Sequence, residues 1–149
     1  MALVIDASVG LKWLLAEHDS AVAEALAISE EELLVPDFWL NEACNVLWLQ
    51  VRRNVFSPAE AQEGLALLRA QVEPTPTAGL GLHDVALEIA LMVDHSSYDT
   101  MYMAFAIAMG AEKLVMADRK FAAAIRSHPD PALARIPMLL GEWATARGA

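Results

Sequence analysis

The sequence has little of what usually staples a protein, anchors it or draws it to nucleic acid. Cysteine is nearly missing: Cys44 stands alone, which rules out an internal disulfide framework and leads us to expect a reducing cytoplasm. Bases are scarce, with 10 Lys and Arg against 20 Asp and Glu. The resulting net charge of -10 argues against binding nucleic acid through a broad basic face. Long apolar runs are also wanting. The longest uncharged one, Thr100 to Ala111, is too short to cross a bilayer. The opening MALVIDASVGLKWLL has no basic leader, and Asp6 interrupts its apolar run, so no signal peptide is expected. Linkers, internal repeats and low-complexity segments are not seen. What remains is 149 residues at 56% hydrophobic and 20% charged, expected to form one domain over 1–149 with a substantial core. The acidic excess suits either an enzyme whose acids hold cations or a protein that meets a basic partner.

The densest information lies in SSYDTMYMAFAIAMGAEKLVMADRKF, Ser96 to Phe121. Asp99 to Met109 is apolar on nearly every face and reads as a helix inside the protein. Asp99 falls in its first turn, where Ser96 or Ser97 can cap and the helix dipole favours negative charge. Gly110 fits the stop. Lys113 to Ala117 then reads as a short buried strand, with Asp118 leaving its C-terminal end. In an α/β sheet, ligands bind at the carboxyl ends of the strands.

The rest of the chain repeats this alternation. Leu3 to Ile5 reads as a central strand ending at Asp6, because it is short, apolar and without polar alternation. Ser8 to Ala16, capped by Ser8, and Ser20 to Ile28 read as helices, and Glu30 to Glu32 as a solvated turn. Leu33 to Val35 is a second strand, stopped by Pro36. Asp37 is expected to cap a long helix to about Asn54, with Phe38, Glu42, Val46 and Leu49 on one face and Asn45 beside Glu42. Ser57-Pro58 opens a helix to about Ala70, with Glu60 completing a capping box. Val72 to Pro76 reads as an edge strand, since Pro74 and Pro76 forbid a central one. Helices over His83 to Val93, Arg119 to Ser127 and Leu140 to Ala146, a loop at Pro129 and Pro131, and a last strand over Arg135 to Met138 complete the pattern. The expected class is α/β with a mostly parallel sheet.

Four acids stand out. Asp6 and Asp118 leave strand ends, Asp99 opens a buried helix, and Glu42 sits in an apolar helix face, where a carboxylate needs a partner or a metal. Brought together, two charges about 4 Å apart repel by roughly 4 kcal/mol at an effective dielectric near 20, so cations are needed to hold such a cluster. All-oxygen ligands select Mg²⁺ or Mn²⁺ over zinc, and the chemistry that fits is phosphodiester hydrolysis by a metal-activated water.

The four pieces VIDASV, NEACNVL, SYDTMYMAFA and KLVMADRKF, carrying Asp6, Glu42 with Asn45, Asp99 and Asp118, together resemble the PIN-domain family. The likeness is to its VapC-like branch, the toxins of type II toxin–antitoxin pairs, and it spans essentially the whole chain. The resemblance implies a PIN-like three-layer α/β/α sandwich and Mg²⁺- or Mn²⁺-dependent endoribonuclease activity on an RNA substrate. It also implies a homodimer and a cognate antitoxin, whose inhibitory segment our acidic surface predicts to be basic. By position, Asp6, Glu42, Asp99 and Asp118 match the family's acidic pocket; Asp6, Asp99 and Asp118 would be the main metal ligands, with Glu42 binding a second ion or orienting the water. Where the family often has Thr or Ser two residues before the last acid, this chain has Met116.

Each acid also has an ordinary reading. Asp6 can be a turn acid, Asp99 can serve the helix dipole, Asp118 can cap the next helix, and Glu42 can pair with Lys12 or Arg52. Lys12, Arg119 and Lys120 are the candidates for RNA phosphates. His18, His83, His95 and His128 show no metal-ligand spacing and receive no role. Trp13, Trp39, Trp48 and Trp143 are expected in core or interface, Met101, Met103 and Met109 in the core, and Cys44 as a buried structural thiol. Two other functions compete with the nuclease. One is an aspartyl-phosphate phosphatase or receiver, disfavoured because Asp6 is followed by Ala7-Ser8 with no second Asp at the phosphatase spacing. The other is a PIN-like protein kept only for partner binding, which failure to bind Mn²⁺ would reveal.

Overall fold

The computed structural model describes residues 1–148. Four short strands form one parallel sheet: β1 (Ala2–Ile5), β2 (Glu32–Leu34), β3 (Lys113–Met116) and β4 (Pro137–Leu139), in the order β2-β1-β3-β4. A parallel sheet takes helices on both faces, so its strands are continuous apolar runs. Leu3, Val4 and Ile5 of β1 and Leu114, Val115 and Met116 of β3 are accordingly all at 0% exposure. The sheet and its flanking helices make the three-layer α/β/α arrangement expected from the sequence.

The helices are α1 (Ala7–Leu11), α2 (Ser20–Ala27), α3 (Trp39–Arg52), α4 (Pro58–Gln71), α5 (Leu82–Val93), α6 (Ser97–Met109), α7 (Arg119–Arg126), α8 (Pro131–Ala134) and α9 (Leu140–Ala146). Helix α6 packs against β1, β3 and, as a hairpin, α5. Its interior run Tyr102 to Ala106 is buried, whereas Tyr98 and Ile107 reach solvent, so it is enclosed on one side rather than all round. Ser96 caps it by accepting from the Tyr98 N–H, and Gly110 ends it with a left-handed φ of 64°. Thr100, fully buried, ties α6 to α5 by donating to the Ala86 carbonyl at 2.7 Å.

One close approach fixes the packing of α1 on α3. A Cβ at Gly10 would stand 2.2 Å from Cζ2 of the fully buried Trp39, so only glycine lets the two helices meet. Trp13 crosses Trp39 at 6.3 Å between ring centres and donates its indole N–H to the Ala23 carbonyl.

Several local expectations are corrected. Val72–Pro76 forms no strand; a single parallel bridge joins Pro36 to Thr75, because the two prolines leave too few donors for a ladder. Asp37 does not cap α3. Phe38 holds that position, and Asp37 instead accepts from the Thr77 N–H and hydroxyl, pinning the distant loop. Asp6, not Ser8, caps α1, which ends at Leu11 rather than Ala16. The buried face of α3 is Trp39, Ala43 and Leu47, one residue round from the stripe read in the sequence. Glu42 therefore lies at the edge of the apolar face, and Cys44 is exposed rather than buried. Trp48 is exposed too, with the Arg52 guanidinium 5.2 Å over its ring. Met103 is core, but Met101 and Met109 are only half-buried.

Candidate metal centre

The sheet register assembles the rim. Ile5 pairs with Val115, and the Asp6 N–H donates to the Val115 carbonyl, so Asp6 and Asp118 leave neighbouring parallel strands at the same end. Helix α6 delivers Asp99 there from its first turn, and α3 delivers Glu42 from its own.

The two strand-end acids are each held by one oxygen. Asp6 Oδ1 accepts from the Ser8 hydroxyl at 2.6 Å and the Val9 N–H at 3.1 Å. Asp118 Oδ1 caps α7 by accepting from the Phe121 N–H at 3.0 Å. Their Oδ2 atoms make no hydrogen bond among the described residues. Asp99 Oδ2 lies 2.9 Å from Nε2 of His95, whose ring stacks on Phe121 at 4.8 Å. His95, Asp99 and Asp118 offer three ligand atoms within 4.8 Å of one another.

All four acids share one field. Burial lifts the Asp6 carboxyl to about 6, against the relief of its Ser8 and Val9 hydrogen bonds, and the charges of Asp99 and Asp118 push it further. Glu42 is exposed as a residue, yet its carboxyl rises to about 7, first from lost hydration and then from the charges of Asp6 and Asp99. The buried Tyr102 hydroxyl faces Glu42, and burial followed by the Glu42 charge drives that phenol well above its ordinary range. Among the described residues no Lys or Arg lies within salt-bridge distance of any of the four. Lys12 is buried and engaged by Asp19 at 2.9 Å and Glu17 at 3.4 Å, so it neither neutralises Glu42 nor reaches out toward a phosphate. Arg52 is occupied with Trp48.

Asp6 and Glu42, whose carboxyls are raised first by burial and then by neighbouring acids, together with the close trio of His95, Asp99 and Asp118, fit a site for a divalent cation. Asn45 shares with Glu42 a groove of about 910 Å³, walled also by Phe38, Tyr98 and Met101, but makes no hydrogen bond to Glu42. Met116 is fully buried in β3 and adds no donor. Arg119 and Lys120 are exposed at the start of α7, without ion pairs among the described residues. His95 is the residue that sequence reasoning missed. Its spacing from Asp99, four residues across a helix start, was the available signal.

The PIN domain model matches residues 3–126. The chain belongs to the PIN domain family. Solved structures agree on the fold. PAE2754 from Pyrobaculum aerophilum superposes with a TM-score of 0.68 at 22% identity, over 99% of this chain and 88% of that one. VapBC2 from Rickettsia felis, determined bound to a DNA fragment from its promoter, gives 0.66 at 14% identity, over 93% of this chain and 98% of the other. No curated protein sequence matches. PIN domains are in general nucleases, typically served by a divalent metal. No helix among the described residues is long and apolar enough to cross a membrane.

Proposed function

We propose that this PIN domain is a Mg²⁺- or Mn²⁺-dependent endoribonuclease and the toxin of a toxin–antitoxin pair, acting as one catalytic domain over 1–149. The observation that carries the reading is that Asp6, Asp99 and Asp118 reach one end of the sheet, with Glu42 near enough to feel Asp6 and Asp99, and that no Lys or Arg forms an ion pair with any of the four among the described residues. Asp6, Asp99 and Asp118 would hold the ion. When bound, a divalent cation supplies Lewis-acid polarisation of the phosphodiester and an acidified water. The protein's own part is positional. Ser8 and the α1 and α7 N–H groups fix two carboxylates, while Glu42 would bind a second ion or orient the water. Arg119 and Lys120, exposed and unpaired beside Asp118, are the candidates for the RNA backbone.

The fold shared with the Rickettsia felis VapBC2 protein supports an antitoxin partner. A chain of net charge -10 favours an antitoxin with a basic inhibitory segment; a homodimer is what the likeness to VapC-like toxins implies, and the single cysteine suits work in the cytoplasm. The test is cleavage of total cellular RNA by purified protein in Mg²⁺ or Mn²⁺, repeated with EDTA and with Asp99→Asn. Discrete cuts that vanish in both controls are expected. A folded protein that cuts nothing and binds no Mn²⁺ would leave only partner binding.

A further inference from the structure

We propose that His95 is itself a ligand of the ion held by Asp99 and Asp118, making the centre a mixed nitrogen–oxygen site that prefers Mn²⁺ to Mg²⁺. The inference rests on the metal-dependent reading above and adds to it a residue and an ion preference.

Three features carry it. The first is distance. Adjacent ligands about 2.1 Å from an octahedral ion stand about 3 Å apart. His95 Nε2 and Asp99 Oδ2 are 2.9 Å apart, so both can serve one cation as neighbours with little movement. A ligand oxygen of Asp118 lies within 4.8 Å of both, close to the about 4.2 Å between trans ligands of such an ion, so a small movement brings it into the same coordination sphere. The second is preorganisation. His95 follows Asp94, whose left-handed φ of 52° closes α5, and its own N–H donates to the Ala90 carbonyl at 3.2 Å. Its ring is seated on Phe121 at 30° between planes, and Phe121 donates the N–H that fixes Asp118. Backbone and ring are thus both held before an ion arrives, and the same aromatic residue ties His95 to a second ligand. The third is chemistry. Carboxylates alone suit Mg²⁺ and Mn²⁺ alike, whereas an imidazole nitrogen adds affinity for first-row transition ions and so favours Mn²⁺ over Mg²⁺.

The experiment is pulsed EPR of the full-length protein loaded with Mn²⁺ alone, grown with natural or ¹⁵N-labelled histidine, beside His95→Gln. Nitrogen modulation that changes isotope with the label and disappears in His95→Gln is expected. Calorimetric titration should show Mn²⁺ affinity falling about tenfold or more in that variant, with Mg²⁺ affinity changed far less. Bound Mn²⁺ without histidine nitrogen coupling in the wild-type protein overturns the proposal and leaves the carboxylate metal site standing. An equal loss for both ions in His95→Gln also overturns it, in favour of a residue that merely positions Asp99. Absence of any Mn²⁺ binding removes this inference and the metallonuclease reading together. The wild-type spectrum decides even if the variant fails to fold.

Discussion

Replacing Asp6 by Asn should stabilise the ion-free protein while abolishing its use for a cation. The Asp6 carboxyl is lifted from 3.8 to about 6 in the folded chain, mainly by burial and then by Asp99 and Asp118. A raised folded value means that the folded state holds its proton more tightly than the unfolded chain does. Stability from this group is therefore fully present below about pH 4 and is lost as pH rises through about 6. At pH 8 the loss corresponds to about 3 kcal/mol, which water reaching a partly exposed residue reduces to about 1–3 kcal/mol. Asn keeps the oxygen that accepts from Ser8 and Val9, so the cap of α1 survives, and its amide can donate to the neighbouring acids.

The assay is thermal and urea unfolding in EDTA at pH 8 and pH 5. Asp6→Asn should gain about 1–3 kcal/mol at pH 8, or roughly 3–8 °C in Tm for a chain of this size. At pH 5, where the wild-type carboxyl already carries much of its proton, the gain should fall to about half. Mn²⁺ should then reverse the order, because binding stabilises only the protein that can hold the ion. A variant no more stable than wild type at pH 8, or equally favoured at both pH values, would refute the burial and neighbouring charge that raise the Asp6 carboxyl.

Three further outcomes follow from other parts of the molecule. Gly10→Ala should cost about 3 kcal/mol in urea unfolding, since its Cβ would overlap Trp39 in a helix contact that cannot open without exposing that indole. Ser57→Ala removes the hydroxyl that accepts from the Glu60 N–H in the capping box of α4 and should cost about 1 kcal/mol by the same measurement, with RNA cleavage unchanged. Arg119→Ala with Lys120→Ala should raise KM for RNA and flatten its salt dependence while kcat holds; a fall in kcat alone would show that these bases do not bind the backbone.

The fold was legible because its strands are buried on both faces and so carry uninterrupted apolar runs, as LVI at Leu3 and LVM at Leu114 do. The end of each run places an acid, and parallel pairing puts those ends side by side. Helix faces were harder. In α3 the sequence stripe through Phe38, Glu42 and Val46 lies one residue away from the buried Trp39, Ala43 and Leu47. The two stripes are adjacent and both contain apolar residues, and the face that is buried is the one that brings Trp39 against Gly10. The same rotation exposes Cys44. The sequence offers Lys12 to RNA phosphates or to Glu42, because its actual partners, Asp19 and Glu17, meet it through a turn that periodicity does not describe. His95 escaped for a related reason: ligand spacing was sought among histidines, while its neighbours at the rim are aspartates from two different elements.

The ordinary and the chemical readings of the strand-end acids turn out to be compatible, and this is a property of the carboxylate. A capping Asp uses one oxygen to satisfy a helix N–H, which a hydroxyl cap also does, but only the carboxylate then has a second, charged oxygen to offer. At Asp6 and Asp118 the first oxygen is spent on α1 and α7, so the second is aimed by backbone geometry rather than by a flexible side chain. Replacing either residue by Ser could therefore preserve the helix start and remove the charge. In such a protein stability and metal affinity can move in opposite directions from a single position, because the cap and the ion draw on different atoms of one side chain.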